Sequence, residues 1–291
     1  MRRPSTVIVL LLVCIIVLPS CQQPAPPDPT AALDGRGGGY IAFHSFRDGN
    51  SEIYVMNADG SGARRLTNHL AEDSCPNFAP DARTIAFTSN RDGNSEVYLI
   101  GVDGQGLLRL TDTASAELHP VWTPDGAAIV FARDGDIWRM KPDGSDQTQL
   151  TRGLRAELPF VTPDGKTVIF SDLSAGNYDV LSVPVDGGEV ATILGSATME
   201  VYAAPSPDGK NIALMRGGRN LHIAAIDGTA SQNIRNAAEN PAWAPDGASL
   251  AFHSESSGNY EIYRMDRDGK NVINLTRNAG NDFWPTWAKA N

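Results

Sequence analysis

Short apolar runs alternate with turn sequences from residue 40 to the end of the chain. Each unit has an Ile-Ala-Phe-like run, an acidic-Ile-Tyr-like run, an Asp-Gly turn, a Leu-Thr pair and a Pro-x-Trp sequence. Short β-prone runs bounded by Gly, Asp and Pro are typical of strands joined by tight turns. The Asp-Gly turn recurs at spacings of 40 to 44 residues, at Asp59-Gly60, Asp103-Gly104, Asp143-Gly144, Asp186-Gly187, Asp227-Gly228 and Asp268-Gly269.

A period in the low forties with several short strands per unit is the pattern of propeller blades. The sequence therefore predicts an all-β, six-bladed β-propeller with four antiparallel strands per blade. The repeat starts at Tyr40 with the second type of strand and ends at Trp284–Trp287 with the first type. We expect the C-terminal strand to complete the blade begun at the N-terminus, because this closure covers sheet edges that would otherwise be exposed.

The Pro-x-Trp strand is linked to the next strand by a Pro-Asp-Gly turn, as at Pro124-Asp125-Gly126. Proline presets the backbone there, aspartate bonds the nearby backbone and glycine tolerates a positive φ. One unit has Pro80-Asp81-Ala82 instead. The missing glycine predicts that this corner turns differently.

The repeated Pro-x-Trp-(Ala/Thr)-Pro-Asp-Gly sequence resembles the repeat of the TolB β-propeller family, and the resemblance covers Tyr40 to Ala288. It implies that the Pro-x-Trp strand lies innermost in each blade. It also implies a periplasmic protein whose partners are proteins of the cell envelope. TolB proteins carry a further N-terminal domain where this sequence shows a short tether, so we expect a TolB-like lipoprotein distinct from the Tol component itself.

The first residues predict export. Arg2 and Arg3 precede the apolar run Thr6 to Leu18, which is short for a membrane span and typical of a signal peptide. Leu18-Pro19-Ser20-Cys21 resembles a bacterial lipobox, which implies a lipoprotein signal peptide at residues 1–20 and lipidation at Cys21. A plain signal peptide with an incidental cysteine is the alternative. Gln22 favours sorting to the outer membrane, facing the periplasm, in an organism with two membranes.

Residues 21–39 are rich in proline and glycine and lack hydrophobic periodicity, so they are predicted to be a flexible tether. Residues 40–291 are long enough to form one β-propeller domain. Cys75 has no partner cysteine in this domain, which excludes a disulfide framework. We expect the propeller to be monomeric.

Charge narrows the class of partner. The chain has 34 acidic and 24 basic side chains, a formal net charge of −10. Nucleic-acid binding is disfavoured because phosphate contacts need clustered lysine and arginine. A basic protein or peptide, or a cation, is the more plausible partner.

Sequence motifs of hydrolases, metalloproteases and phosphate-binding loops are missing from the chain, which has five histidines. His44 and His253 occupy the same repeat position in blades that ring closure makes adjacent. They could ligate a metal ion if a third ligand were present. The alternative is that both lie between blades, hydrogen-bonded to the backbone or to water.

One acidic residue precedes each predicted innermost strand. Six such loops must meet at one end of the propeller channel, where they could attract a cation or a basic peptide. The alternative is that each carboxylate only bonds its own loop. The six residues are Glu72, Glu117, Glu157, Glu200, Glu239 and Asp282.

A second acidic series opens the acidic-Ile-Tyr strands. It lies at a hairpin shoulder, which predicts solvation or cross-strand pairing with arginine. The series consists of Glu52, Glu96, Asp136, Asp179 and Glu261.

These features predict a non-catalytic lipoprotein whose propeller is a protein or peptide interaction module, with no cofactor. The alternative is a metal-dependent propeller enzyme that acts on carbohydrate. Oligogalacturonate lyases have a similar repeat, but the resemblance implies several histidine metal ligands, and this chain has few.

Overall fold

The computed structural model describes residues 32–290, and their regular structure consists of 24 strands in six four-stranded antiparallel sheets. This confirms the predicted six-bladed propeller. No helix in this part of the chain could cross a membrane. The predicted signal peptide and Cys21 lie outside the described residues.

Each blade is one sheet, and the strands are numbered in chain order. Blade 1 contains β24 (Asp282–Ala288), β1 (Tyr40–Ser45), β2 (Glu52–Asn57) and β3 (Arg64–Arg65). Blade 2 contains β4 (Asp73–Phe78), β5 (Thr84–Ser89), β6 (Glu96–Gly101) and β7 (Leu108–Arg109). Blade 3 contains β8 (Glu117–Trp122), β9 (Ile129–Arg133), β10 (Asp136–Met140) and β11 (Thr148–Gln149). Blade 4 contains β12 (Ala156–Val161), β13 (Thr167–Asp172), β14 (Asp179–Pro184) and β15 (Ala191–Leu194). Blade 5 contains β16 (Glu200–Pro205), β17 (Asn211–Arg216), β18 (Asn220–Ala225) and β19 (Gln232–Asn236). Blade 6 contains β20 (Glu239–Trp243), β21 (Ser249–Ser254), β22 (Glu261–Asp266) and β23 (Ile273–Asn274).

Ring closure follows the predicted scheme. The C-terminal strand β24 pairs antiparallel with β1, and Tyr40 lies opposite Ala288. Blade 1 therefore takes its innermost strand from the end of the chain and its other three strands from the beginning. This arrangement joins the two ends of the propeller by backbone hydrogen bonds.

The core lies between neighbouring blades, at the second strand of each. These strands are buried on both faces, which explains why they read as continuous apolar runs and not as an alternating pattern. Each completely buried phenyl side chain stabilises the fold by about 1.5 to 3 kcal/mol relative to leaving it in water. Five such rings are Phe43, Phe87, Phe131, Phe170 and Phe252.

The prediction that the Pro80-Asp81-Ala82 corner turns differently is wrong. Ala82 has a φ of 54°, in the same left-handed region as Gly126 at 71°. The Asp81 carboxylate accepts hydrogen bonds from the backbone N–H groups of Arg83 and Thr84, which holds the turn. The Ala82 methyl group is buried in the core between blades 1 and 2, and its burial, worth about 0.8 kcal/mol, offsets part of a backbone cost of about 1 to 2 kcal/mol.

Four of the five acids in the second series are buried and Asp179 is half-buried, so the prediction of solvated shoulders is wrong. The Thr67 hydroxyl donates to Glu52 at 2.6 Å and accepts from the backbone N–H of Ile53 at 2.9 Å. The Leu-Thr pair of the repeat therefore supplies the threonine that neighbours the buried acid. Glu96 shows the other predicted arrangement, pairing with an arginine: it forms an ion pair with Arg109 at 2.9 Å.

Ordered contacts begin before the predicted domain start at Tyr40. The Asn57 side-chain oxygen accepts hydrogen bonds from the backbone N–H groups of Asp34 and Gly35, at 3.2 and 3.0 Å. Leu33 packs against the core between blades 1 and 2. Residues 33–39 thus lie against blade 1.

Candidate functional site

The channel of the propeller is lined by the six innermost strands, β24, β4, β8, β12, β16 and β20. Each of them has a register shift against the second strand of its blade. A bulge of this kind re-aims side chains. At each bulge one non-glycine residue has a φ between 49° and 60°, and we call these six residues the bulge ring: Cys75, His119, Leu158, Tyr202, Asn240 and Trp284.

The preceding blade supports four of these bulges. The Cys75 backbone N–H donates to Nδ1 of His44, and that of Trp284 donates to Nδ1 of His253, each at 3.4 Å. The hydroxyl groups of Thr88 and Ser171 accept the corresponding bonds from His119 and Tyr202 at 3.3 Å. The penultimate side chains of the second strands thus satisfy backbone donors that the bulges remove from the sheet.

This geometry confirms the alternative in which His44 and His253 lie between blades, hydrogen-bonded to the backbone. Burial lowers the pKa of each to about 3, so both imidazoles are neutral. Both rings pack against Phe283, with ring centroids 5.6 and 5.1 Å away. Within residues 32–290, no three His, Cys, Asp or Glu side chains are placed to hold a metal ion.

Large aromatic side chains of the bulge ring meet across the channel. Trp284 of blade 1 stacks on His119 of blade 3, with ring centroids 5.4 Å apart and planes within 10°. Tyr202 of blade 5 meets Trp284 edge to face at 5.4 Å. Burial lowers the pKa of His119 to about 4, so this stack is uncharged at neutral pH. Rings from blades 1, 3 and 5 thus contact one another inside the channel at the level of the bulge ring.

The end of the channel beyond the bulge ring, where the Pro-Asp-Gly turns lie, contains a cavity of about 400 Å³. The bulge ring forms its floor, and the ends of the innermost strands form its wall. Its polar rim includes Lys289 from the C-terminal tail. We call this cavity the aromatic mouth and define it by Trp122, Phe160, Trp243 and Trp287 together with Pro80, Pro124, Pro207 and Pro245.

The opposite end of the channel carries the predicted acidic set, and an arginine binds four of its six members. Asp282 accepts two hydrogen bonds from Arg47, at 3.0 and 2.9 Å. Glu117 is paired with Arg133 at 2.6 Å. Two further pairs complete these four, Glu200 with Arg216 at 3.2 Å and Glu239 with Arg219.

The remaining two acids lie differently. Glu72 is exposed and accepts a hydrogen bond from the backbone N–H of Ser51 at 3.0 Å. Glu157 is half-buried and accepts a hydrogen bond from the Tyr178 hydroxyl. Each carboxylate is therefore held by its own partner, and a shared cation or peptide site among the six stays a prediction.

The sequence prediction missed the arginines that neutralise this end. In blade 2 the buried acid is Asp73, one residue after the predicted Glu72, and Arg91 of the following hairpin binds it at 2.7 Å. The same arginine lies over the ring of Tyr98, 5.0 Å from its centroid. The signal was available in the repeated Arg-Asp-Gly-Asn hairpin, which places an arginine between an aromatic ring and a carboxylate.

Two buried carboxyl groups also meet between blades 2 and 3. Glu96 and Glu117 are completely buried, and each has one oxygen, Oε2, without any other hydrogen-bond partner. Burial and a hydrogen bond with Glu96 raise the pKa of Glu117. Burial alone would raise the pKa of Glu96, but its hydrogen bonds, of which the one with Glu117 has the largest effect, outweigh burial and lower this pKa. The pair is therefore arranged to share one proton.

The bulge ring and the aromatic mouth were also missed as a site. As a repeated sequence, the Pro-x-Trp motif predicts only the fold. Its tryptophan follows a buried bulge by three positions, as Trp122 follows His119, so the motif also places an aromatic ring beside the channel. Recurrence of the motif in register was the signal that could have predicted this cavity.

Comparison with known proteins shows what the chain resembles. Residues 35–184 and 173–291 match the family model described as TolB beta propeller domain. A protein of Chlorobium luteolum named Protein TolB homolog is 26% identical over 136 residues, which are 45% of this chain and 31% of that protein. The chain spans less than half the length of this and three other curated relatives that it matches.

Solved structures share the fold. The crystal structure of TolB from Acinetobacter baumannii matches with a TM-score of 0.76 and 22% identity, covering 86% of this chain and 66% of that one. An oligogalacturonate lyase in complex with manganese matches with a TM-score of 0.51 and 18% identity, covering 82% of this chain and 74% of that one. At these identities the likeness shows the architecture alone.

Proposed function

The chain belongs to the TolB beta propeller domain family, and we propose that it is a non-catalytic, lipid-anchored envelope protein whose propeller binds a protein or peptide on the periplasmic side. The lipobox-like sequence ending at Cys21 supports export and anchoring. Its place in the TolB propeller family supports an envelope role, because the resemblance to TolB proteins implies partners in the cell envelope. Its aromatic mouth supports binding of a partner.

The aromatic mouth is the observation that carries this proposal. Its volume, about 400 Å³, lies within the range of about 300 to 1,000 Å³ that is usual for ligand sites. Tryptophan, tyrosine and phenylalanine are enriched at the centres of protein interfaces, where they bury a large area at a small entropy cost. A partner segment with apolar side chains would fill this mouth.

The acidic end is the second candidate surface. Because arginines offset four of its six carboxylates, its local field is weaker than the sequence suggests. Glu72 and Glu157 form no ion pair within residues 32–290, so neutralising them leaves no arginine stranded. If the double variant Glu72→Gln, Glu157→Gln captures less of the partner protein, the acidic end takes part in docking. Unchanged capture would show that the acidic end is not a docking surface.

The lyase alternative has less support from the described residues. The matching oligogalacturonate lyase structure is a complex with manganese. Residues 32–290 contain no cluster of three His, Cys, Asp or Glu side chains that could hold a metal ion. Metal analysis of the purified lipoprotein tests this alternative, because stoichiometric manganese would favour it.

Photocrosslinking in native cells tests the proposed function. A benzophenone amino acid at Phe160, in the aromatic mouth, should capture an envelope protein. The matched control is the same amino acid at Leu108, which is 51% exposed on the outer strand of blade 2. We expect about tenfold more captured protein from position 160, since hot spots concentrate in buried aromatic pockets. Equal capture at both positions, or none at position 160, would contradict the proposal.

A further inference from the structure

Both ends of the described chain lie on the face of the propeller that carries the aromatic mouth. Lys289 lines the mouth, and its neighbour Ala290 lies directly against Gly35. The hydrogen bonds from Asp34 and Gly35 to Asn57 fix the N-terminal segment at this place. The chain that precedes Ala32 therefore starts a few residues from the rim of the cavity.

That preceding chain contains the sequence Pro24-Ala25-Pro26-Pro27-Asp28-Pro29. Such a sequence favours the extended polyproline II conformation, which aromatic-lined grooves recognise. Proline has no N–H group, so burying this segment against aromatic rings leaves few donors unsatisfied. The cavity offers the matching surface, four aromatic side chains and four prolines.

The length of chain between the proline-rich sequence and Ala32, and the charges of the two parts, are also compatible with contact between this sequence and the aromatic mouth. At about 3.1 Å per residue, an extended chain reaches about 9 Å from Ala32 to Pro29 and about 25 Å from Ala32 to Pro24. Ala32 is itself only three residues from Gly35, and Gly35 lies beside Ala290 of the C-terminal tail. Asp28 carries a negative charge, and Lys289 at the rim carries a positive one.

We propose that the proline-rich segment 24–29 occupies the aromatic mouth of its own propeller. This inference rests on the proposed function, because it assigns the same mouth a proline-rich ligand chemistry. An external partner must then displace the segment or present a similar proline-rich sequence. Since Cys21 is three residues from Pro24, the bound segment would hold the mouth within about 10 Å of the lipid-anchored residue.

Intramolecular photocrosslinking of the purified full lipoprotein tests this. With a benzophenone amino acid at Ala25, peptides identified after proteolysis should place the main crosslink in the aromatic mouth, at Trp122, Phe160 or the tail with Lys289. The matched variant adds Pro26→Gly, Pro27→Gly and Pro29→Gly, which lie outside the propeller and leave its core intact. We expect about fivefold less crosslink from this variant, because glycine removes the preorganised conformation. An excess of a synthetic peptide of residues 22–30 should also reduce the yield.

Each outcome decides the proposal. Crosslinks at the acidic end or spread over the surface would overturn it, and so would an unchanged yield in the glycine variant. Capture of an envelope protein at position 160 without an intramolecular crosslink would leave the proposed function standing and reject the self-docking. An intramolecular crosslink with no captured protein would reject the proposed function and support the self-docking.

Discussion

Replacing Asp282 by alanine is expected to lower the free energy of unfolding by about 3 kcal/mol, the usual cost of removing one partner of a buried ion pair. Asp282 is completely buried, and both of its oxygens accept hydrogen bonds from Arg47. Asn278 donates a third hydrogen bond to it at 2.6 Å. The variant leaves the Arg47 guanidinium mostly buried, with its side chain 21% exposed, and without its carboxylate.

This pair also joins the two ends of the chain, since Asp282 lies on β24 and Arg47 follows β1. Chemical denaturation followed by tryptophan fluorescence measures the loss. The second substitution Arg47→Met removes the stranded charge and should recover about half of the lost stability. A loss below about 1 kcal/mol in the single variant, as for an exposed pair, would contradict this account of ring closure.

Glu117→Gln is expected to gain stability relative to the unsubstituted protein as the pH rises from about 4.5 towards neutrality. The pKa of Glu117 is raised, so the folded protein holds this proton more tightly than the unfolded chain does. Its contribution to stability is complete below the ordinary pKa of 4.5 and is lost as the pH rises through the raised pKa. Glutamine keeps the uncharged form at every pH, and its amide can still donate to Glu96.

The size of this change measures the pKa shift. The difference in unfolding free energy between variant and parent should change by about 1.4 kcal/mol for each unit by which the pKa is raised. Denaturation curves at several pH values between 4 and 7 give this difference. If the difference in unfolding free energy between the two proteins stays constant over this pH range, the hypothesis that Glu96 and Glu117 share a proton is rejected.

Glu96→Gln is the control with the opposite sign. The pKa of Glu96 is lowered, so its contribution to stability is present above the ordinary value of 4.5 and is lost as the pH falls through the lowered pKa. This variant should be less stable than the parent at neutral pH. The deficit should shrink only below pH 4.5. The same trend in both variants would mean that the two carboxyl groups do not share a proton.

Much of the fold could be predicted because its unit is short and repeats. The Ile-Ala-Phe runs predict the second strands, since only a β-prone apolar run survives burial on both faces. The order of strand types at the two ends predicts that β24 completes blade 1. At Ala82 the prediction failed because it rested on one residue, whereas the Asp81 hydrogen bonds and the buried methyl group decide the turn.

The candidate site was harder to predict because its residues are brought together by neighbouring strands and blades. The acidic set was recognised by type and position, but the arginines that pair with four of its members lie on other strands or in hairpins. Arg47, for example, is 235 residues from Asp282 in the chain. Proximity of this kind depends on how strands from the two ends of the chain align with each other, and the order of strand types does not fix that alignment.

Taken alone, the sequence determined the number of blades, the type of each strand and the mode of closure, because hydrophobic period and turn residues act locally and recur in register. The tertiary structure decided which charges neutralise each other, which way the bulge ring points and where an apolar cavity is left. The physical reason is that a bulge redirects a side chain by a backbone rotation of one residue. Whether six such side chains fill a channel depends on all six blades at once.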